Sequence, residues 1–170
     1  MEFTFKVDLD TTGIKELKKN ASILNKRHIR WGWIGGKRYP SSHPNNGIAI
    51  AQVANWQEYG VSRGTGSKDI PARPYFRQAI NVAKTQYTGE IAAICKAAVT
   101  GAASMPLLNT LADDLVKDYH ESVLMQNYTP LSSYTVSLKG HSYQMDDSGY
   151  MIMNFKSKVY RQSMNSTKGK

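Results

Sequence analysis

VANWQEYGVSRGTGSKDIPARPYF, residues 53–76, holds most of what the chain discloses about its architecture. Val53, Ala54 and Gln57 share one side with Ile50, which predicts a helix over residues 47–59. Gly60 sits where a helix commonly terminates in a left-handed residue. Residues 62–68 (SRGTGSK) contain no apolar side chain, so a mobile loop is expected there. In Ile70-Pro71-Ala72-Arg73-Pro74-Tyr75-Phe76 the two prolines fix their own φ and push Ile70 and Arg73 toward extended conformations, giving a stiff, non-helical rod. The rod holds Arg73 at a set orientation, and Tyr75 and Phe76 supply large apolar area to anchor it. Glu58 is close enough across the loop to pair with Arg73.

Working outward, Phe3, Phe5, Val7 and Leu9 alternate with polar residues, the period of a half-buried strand over residues 1–9. Asp10, Thr11 and Thr12 can cap a helix over residues 12–26, whose apolar face is Ile14, Leu17, Ala21 and Leu24 and whose other face is rich in lysine. Residues 29–35 (IRWGWIG) read as a second strand, and residues 40–47 as a loop. Downstream, Ile80, Ala83, Tyr87, Ile91, Ile94, Cys95 and Ala98 form the stripe of one helix, and Leu107, Leu111, Leu115, Tyr119 and Val123 that of another. Pro130 ends helical structure. Met151, Met153, Phe155 and Val159 share one face of a last strand. The expectation is an α+β protein: a small antiparallel sheet of three to four strands packed with about four helices. One domain covers residues 1–163, followed by a flexible tail over residues 164–170.

A chain of 170 residues, 41% hydrophobic, can bury one core without disulfides or metals. No apolar run approaches the roughly 20 residues that span a bilayer, and no secretory signal is expected at the N-terminus. Cys95 is the only cysteine, so no internal disulfide forms and the chain reads as reduced and intracellular. Lys and Arg number 22 against 13 Asp and Glu, a net charge of +9 that attracts polyanions or acidic protein surfaces.

Enzymatic chemistry finds little support. Arg63-Gly64-Thr65-Gly66-Ser67-Lys68 lacks the spacing of a phosphate loop. Asp114, Asp118 and Glu121, with His120 nearby, fall on one helical face, read as solvated rather than as a cation site. His28, His43, His120 and His141 show no paired spacing for zinc, and none stands beside a nucleophile. Cys95 reads as a small core hydrophobe. No catalytic, cofactor-binding or metal-ligating residue is assigned.

Taken together, Glu58-Tyr59-Gly60 and, after a polar loop, Ile70-Pro71-Ala72-Arg73-Pro74-Tyr75-Phe76 resemble a pattern of the tail-completion and virion-morphogenesis proteins of tailed bacteriophages. There a helix ending in Glu-(Tyr/Phe)-Gly precedes Ile-Pro-(Ala)-Arg-Pro-(Phe/Tyr). Upstream, residues 31–36 (WGWIGG) look like the glycine-containing strand before that helix. Downstream, Pro130-Leu131-Ser132, Lys139-Gly140 and Asp147-Ser148-Gly149 are similar to the family's ending, although Gln144-Met145-Asp146 stands where a Pro-Leu pair is usual. The resemblance implies a structural virion protein, forming a homo-oligomeric ring at the neck or upper tail end and joining head to tail. Its implied partners are portal-side, head-completion and tail-tube or terminator proteins, with sequence-independent contact to genomic DNA in the lumen and no membrane. Lys15, Lys18 and Lys19 are candidates for a charged docking surface. The competing expectation is a small DNA-binding or DNA-processing protein. It would use Lys15, Lys18, Lys19, Lys26, Arg27 and Arg30 on phosphates and Trp31 and Trp33 for stacking. A soluble helix face and a core aromatic strand are the preferred reading of those residues.

Overall fold

The computed structural model describes residues 11–62, 64, 69–145 and 148–161. The expected strand over residues 1–9, most of the expected loop over residues 62–68, and the tail over residues 164–170 lie outside them. In chain order the elements are α1 (Thr12–Asn25), β1 (Arg27–Gly32), α2 (Ile50–Tyr59), α3 (Tyr75–Gln86), α4 (Thr88–Val99), α5 (Ser104–Leu124), α6 (Ser133–Lys139), α7 (Tyr150–Met153) and β2 (Lys156–Arg161).

The expected sheet of three to four strands with about four helices is therefore wrong. Among the described residues there are seven helices and one antiparallel two-stranded ribbon, in register from Arg27↔Arg161 to Gly32↔Lys156. Two segments that could have added strands make only single bridges, Arg38↔Ala49 and Val61↔Ile70. The apolar stretch expected to be one strand from Met151 to Val159 turns a helix first. Gly149, at φ 67°, admits the four-residue α7, which buries Met151 and leaves Met153 exposed before β2 begins.

Helix α5 is the spine, packing on α3, α4 and both strands. Its inward residues include Leu111, Ala112, Tyr119 and Val123, close to the expected stripe, with Leu107 left exposed. The helix expected across residues 80–98 breaks at Tyr87 into α3 and α4. Ile94 and Ala98 then continue the buried face, while Cys95, about 100° round the helix from Ile94, is exposed rather than a core residue. Helix α6 was not expected after Pro130. Ser132 caps its start by accepting from the Thr135 amide, and Gly140, at φ 75°, closes its end.

Aromatic rings make the centre. Tyr119 and Phe155 stack at 3.6 Å between centroids, and Trp33 meets Tyr75, Tyr119 and Phe155 edge-on. The Trp33 indole donates to the Met151 carbonyl at 2.9 Å, tying the segment after β1 to α7. Trp31 packs against Phe76 and Phe155, so both tryptophans are taken up by the core. Each such buried ring contributes about 1.5–3 kcal/mol.

Burial pushes the phenol pKa of Tyr75, and of Tyr119, above its ordinary value; both rings are fully buried. Both phenols stay protonated in the folded protein while the unfolded chain ionises near pH 10. Their contribution is complete below that pH and lost as pH rises above it, by up to about 1.4 kcal/mol per pH unit for each ring. Urea unfolding measured between pH 8 and 12 should show stability falling above about pH 10, with a shallower fall in the Tyr75→Phe variant than in the parent.

Candidate functional site

The segment from Glu58 to Phe76 folds into a clasp between α2 and α3. At the end of α2, Gly60 adopts φ 75° and ψ 169°, a conformation reserved for glycine. A Cβ there would stand 2.7 Å from the Ile70 carbonyl oxygen and 2.9 Å from the Ala72 nitrogen. Val61 and Ile70 exchange backbone hydrogen bonds, both 2.9 Å, which close the loop between them at its base. The chain from Pro71 to Pro74 is non-helical, and the Arg73 amide donates to the Gln57 carbonyl at 2.8 Å, laying the rod against the end of α2.

Glu58 does not pair with Arg73 as the sequence suggested. Its buried carboxylate accepts from the amides of Phe76 (2.9 Å) and Arg77 (3.1 Å) and from the Arg77 guanidinium (2.9 Å). Helix α3 starts at Tyr75 after Pro74 with no side-chain cap of its own, so a carboxylate from another helix satisfies its free first-turn amides and faces the positive end of its dipole. Arg77 also donates to the Glu58 carbonyl and lies over the exposed Tyr59 ring, 4.8 Å from its centroid.

Arg73 is buried and works elsewhere. Its Nε donates to the Thr129 carbonyl at 3.1 Å and Nη1 to the Gln57 side chain at 3.1 Å. Burial pulls its pKa down, since neutral acceptors replace water around a charge. Tyr75 completes the clasp by donating to the Ala54 carbonyl and accepting, through its own carbonyl, from Ser122 of α5. Phe76 joins the Trp31 and Trp33 cluster. The residues marked by the sequence thus meet in one place, except that Tyr59 faces outward. Gln57, Arg77 and Thr129 were missed. Arg77 lies one residue past the motif, and Thr129 is far along the chain.

The second candidate surface is on α1. Residues 11–19 are exposed throughout, and α1 buries none of its residues. Lys15, Lys18 and Lys19 lie in this stretch, as do Ile14 and Leu17, which are 57% and 48% exposed. The helix meets the body through its C-terminal half: Asn20 lies against Gly101, and Leu24 packs against the cluster of Tyr87, Ile94 and Leu111.

The acidic face of α5 differs from its expected form. Asp118 is buried rather than solvated, and the Tyr87 phenol is pushed above its ordinary pKa first by burial and then by this carboxylate. Asp114 pairs with Lys117 at 2.6 Å on the surface. Among the described residues no group of three or more His, Cys, Asp or Glu could hold a metal ion, and no helix is long and apolar enough to cross a membrane. Compared with known proteins, the chain matches no family model, no curated sequence and no solved structure.

Proposed function

We propose that this chain is a structural subunit of a tailed-phage virion, assembling head to tail into a ring at the neck or upper tail end and joining head to tail. The observation that carries the reading is α1. An amphipathic helix that keeps Ile14 and Leu17 half exposed beside Lys15, Lys18 and Lys19 has a face that the described residues leave uncovered. The clasp supports it from the other side. Glu58, Arg73 and Tyr75 are engaged inside the protomer, which suits a rigid wall more than a site that must release a product. A ring closes by one heterologous contact repeated about an axis, so this face would meet a second, different surface of the neighbouring protomer. DNA contact belongs to the lumen and is independent of sequence, because DNA held there by many phosphate contacts would resist passage.

The triple reversal Lys15→Glu, Lys18→Glu, Lys19→Glu should leave free heads and free tails in electron micrographs of assembly reactions. Duplex binding by the purified variant, measured by salt titration, should change less, because steering between complementary protein surfaces depends on these charges. Normal joining together with loss of tight, salt-sensitive duplex binding would transfer the assignment to a small DNA-binding protein. Trp31 and Trp33 weigh against that alternative in its original form, since both rings sit in the core cluster rather than on a stacking surface.

A further inference from the structure

The two strands of the ribbon, RHIRWG and KSKVYR, carry five Arg and Lys and no Asp or Glu. Strand alternation and register place His28, Arg30 and Gly32 of β1 on the same face as Tyr160, Lys158 and Lys156 of β2. Ile29 and Trp31, pointing the other way, pack into the core. On the outer face Arg30 stands directly opposite Lys158, and like charges in that position cost stability. Both cations lean over one ring, with the Arg30 guanidinium 5.0 Å and the Lys158 ammonium 5.3 Å from the Tyr160 centroid. His28 stacks on the same ring, nearly parallel at 5.6 Å. Among the described residues none of the five cations forms an ion pair.

We propose that this outer face is a binding surface for the phosphate backbone of duplex DNA, with Arg30, Lys156 and Lys158 as the contacting cations and the Tyr160 ring holding Arg30 and Lys158 in place. A locally unfavourable charge pair that the fold itself does not need points to a ligand that relieves it. A uniform polyanion meets all three cations at once. A protein partner fits less well, because the centre of a protein interface is depleted in lysine and in unpaired charge. The shape agrees, since a two-stranded ribbon is an element that the major groove admits. The inference concerns the free protomer and stands whether or not a ring forms.

The test is fluorescence anisotropy of a labelled, mixed-sequence 20-base-pair duplex (a length of about two helical turns) titrated with the full chain at several salt concentrations. Three phosphate contacts predict a log–log slope of about −2.7, a loss of about 40-fold between roughly 50 and 200 mM salt. Arg30→Gln with Lys158→Gln should reduce that loss to about three- to fourfold, with a melting temperature no lower than that of the parent. If the double variant melts early, Lys156→Gln alone should still lower the slope by about one. Lys15→Gln, Lys18→Gln, Lys19→Gln should keep the parental slope. An unchanged slope in the ribbon variants overturns the proposal. So does binding of polyglutamate as tight as that of duplex, which would assign the face to an acidic protein.

Discussion

Gly60→Ala is expected to destabilise the protomer by about 3–5 kcal/mol. Two effects add. A non-glycine residue at φ 75° and ψ 169° costs about 1–3 kcal/mol in backbone strain. The new methyl would also stand 2.7 Å from the Ile70 oxygen and 2.9 Å from the Ala72 nitrogen, both backbone atoms that cannot swing aside as a side-chain tip would. Relief requires parting the Val61–Ile70 bridge and moving the rod off α2. In a domain of this size the loss should lower the melting temperature by about 10 °C or more. Gly140→Ala is the comparison, because Gly140 has the same φ of 75° and nothing within 4 Å of its would-be Cβ. It should cost only about 1 kcal/mol. Equal losses in the two variants would show that the close approach at Gly60 does not matter.

Glu58→Ala is expected to cost about 3–4 kcal/mol, because it removes a charged acceptor from two first-turn amides of α3 and from Arg77. Arg77→Gln should cost no more than about 1 kcal/mol, since the guanidinium is half exposed, which screens the pair, and the Glu58 carboxylate keeps both amide donors. The difference between the two isolates the capping of α3 from the ion pair. Amide exchange gives a second reading: the Phe76 and Arg77 amides should exchange faster in Glu58→Ala and stay protected in Arg77→Gln. Matching stability losses would mean that the carboxylate serves the guanidinium alone.

Local signals in the sequence reached as far as single elements. The spacing of Ile14, Leu17, Ala21 and Leu24 gave α1 within a residue of its observed Thr12–Asn25, and Gly60 marked the end of α2. The strand count failed where two periods coincide. Met151 and Phe155 are four apart, which fits alternation and a helical turn equally, and only the exposure of Met153 separates the readings. Helix α6 was legible in Ser132 and Gly140, its two caps, but Pro130 drew attention to an ending rather than a beginning. Which cation meets Glu58 could not be read from spacing. That depends on the angle at which α3 leaves the rod, which puts Arg77 rather than Arg73 beside the carboxylate. Asp118 looked solvated because a helical stripe says nothing about what covers its flank, and Tyr87, at the break between α3 and α4, comes from elsewhere in the chain. The charged outer face of the ribbon was hidden because β2 pairs with a strand more than 120 residues earlier in the chain.

That pairing also sets how the protein bears load. Arg27 and Arg161, the first residue of β1 and the last of β2, are opposite each other, so the chain enters and leaves the ribbon at the same end. Tension applied between the two flanks pulls on that end rung first and opens the ladder one rung at a time, like a zipper, instead of shearing all six pairs together. The end rung is two arginines facing each other, the weakest of places to begin. Force delivered instead through α3 and α5 meets interlocked rings and the Glu58 carboxylate, which yield only together. A protomer built this way is stiff across its body and compliant at its seam.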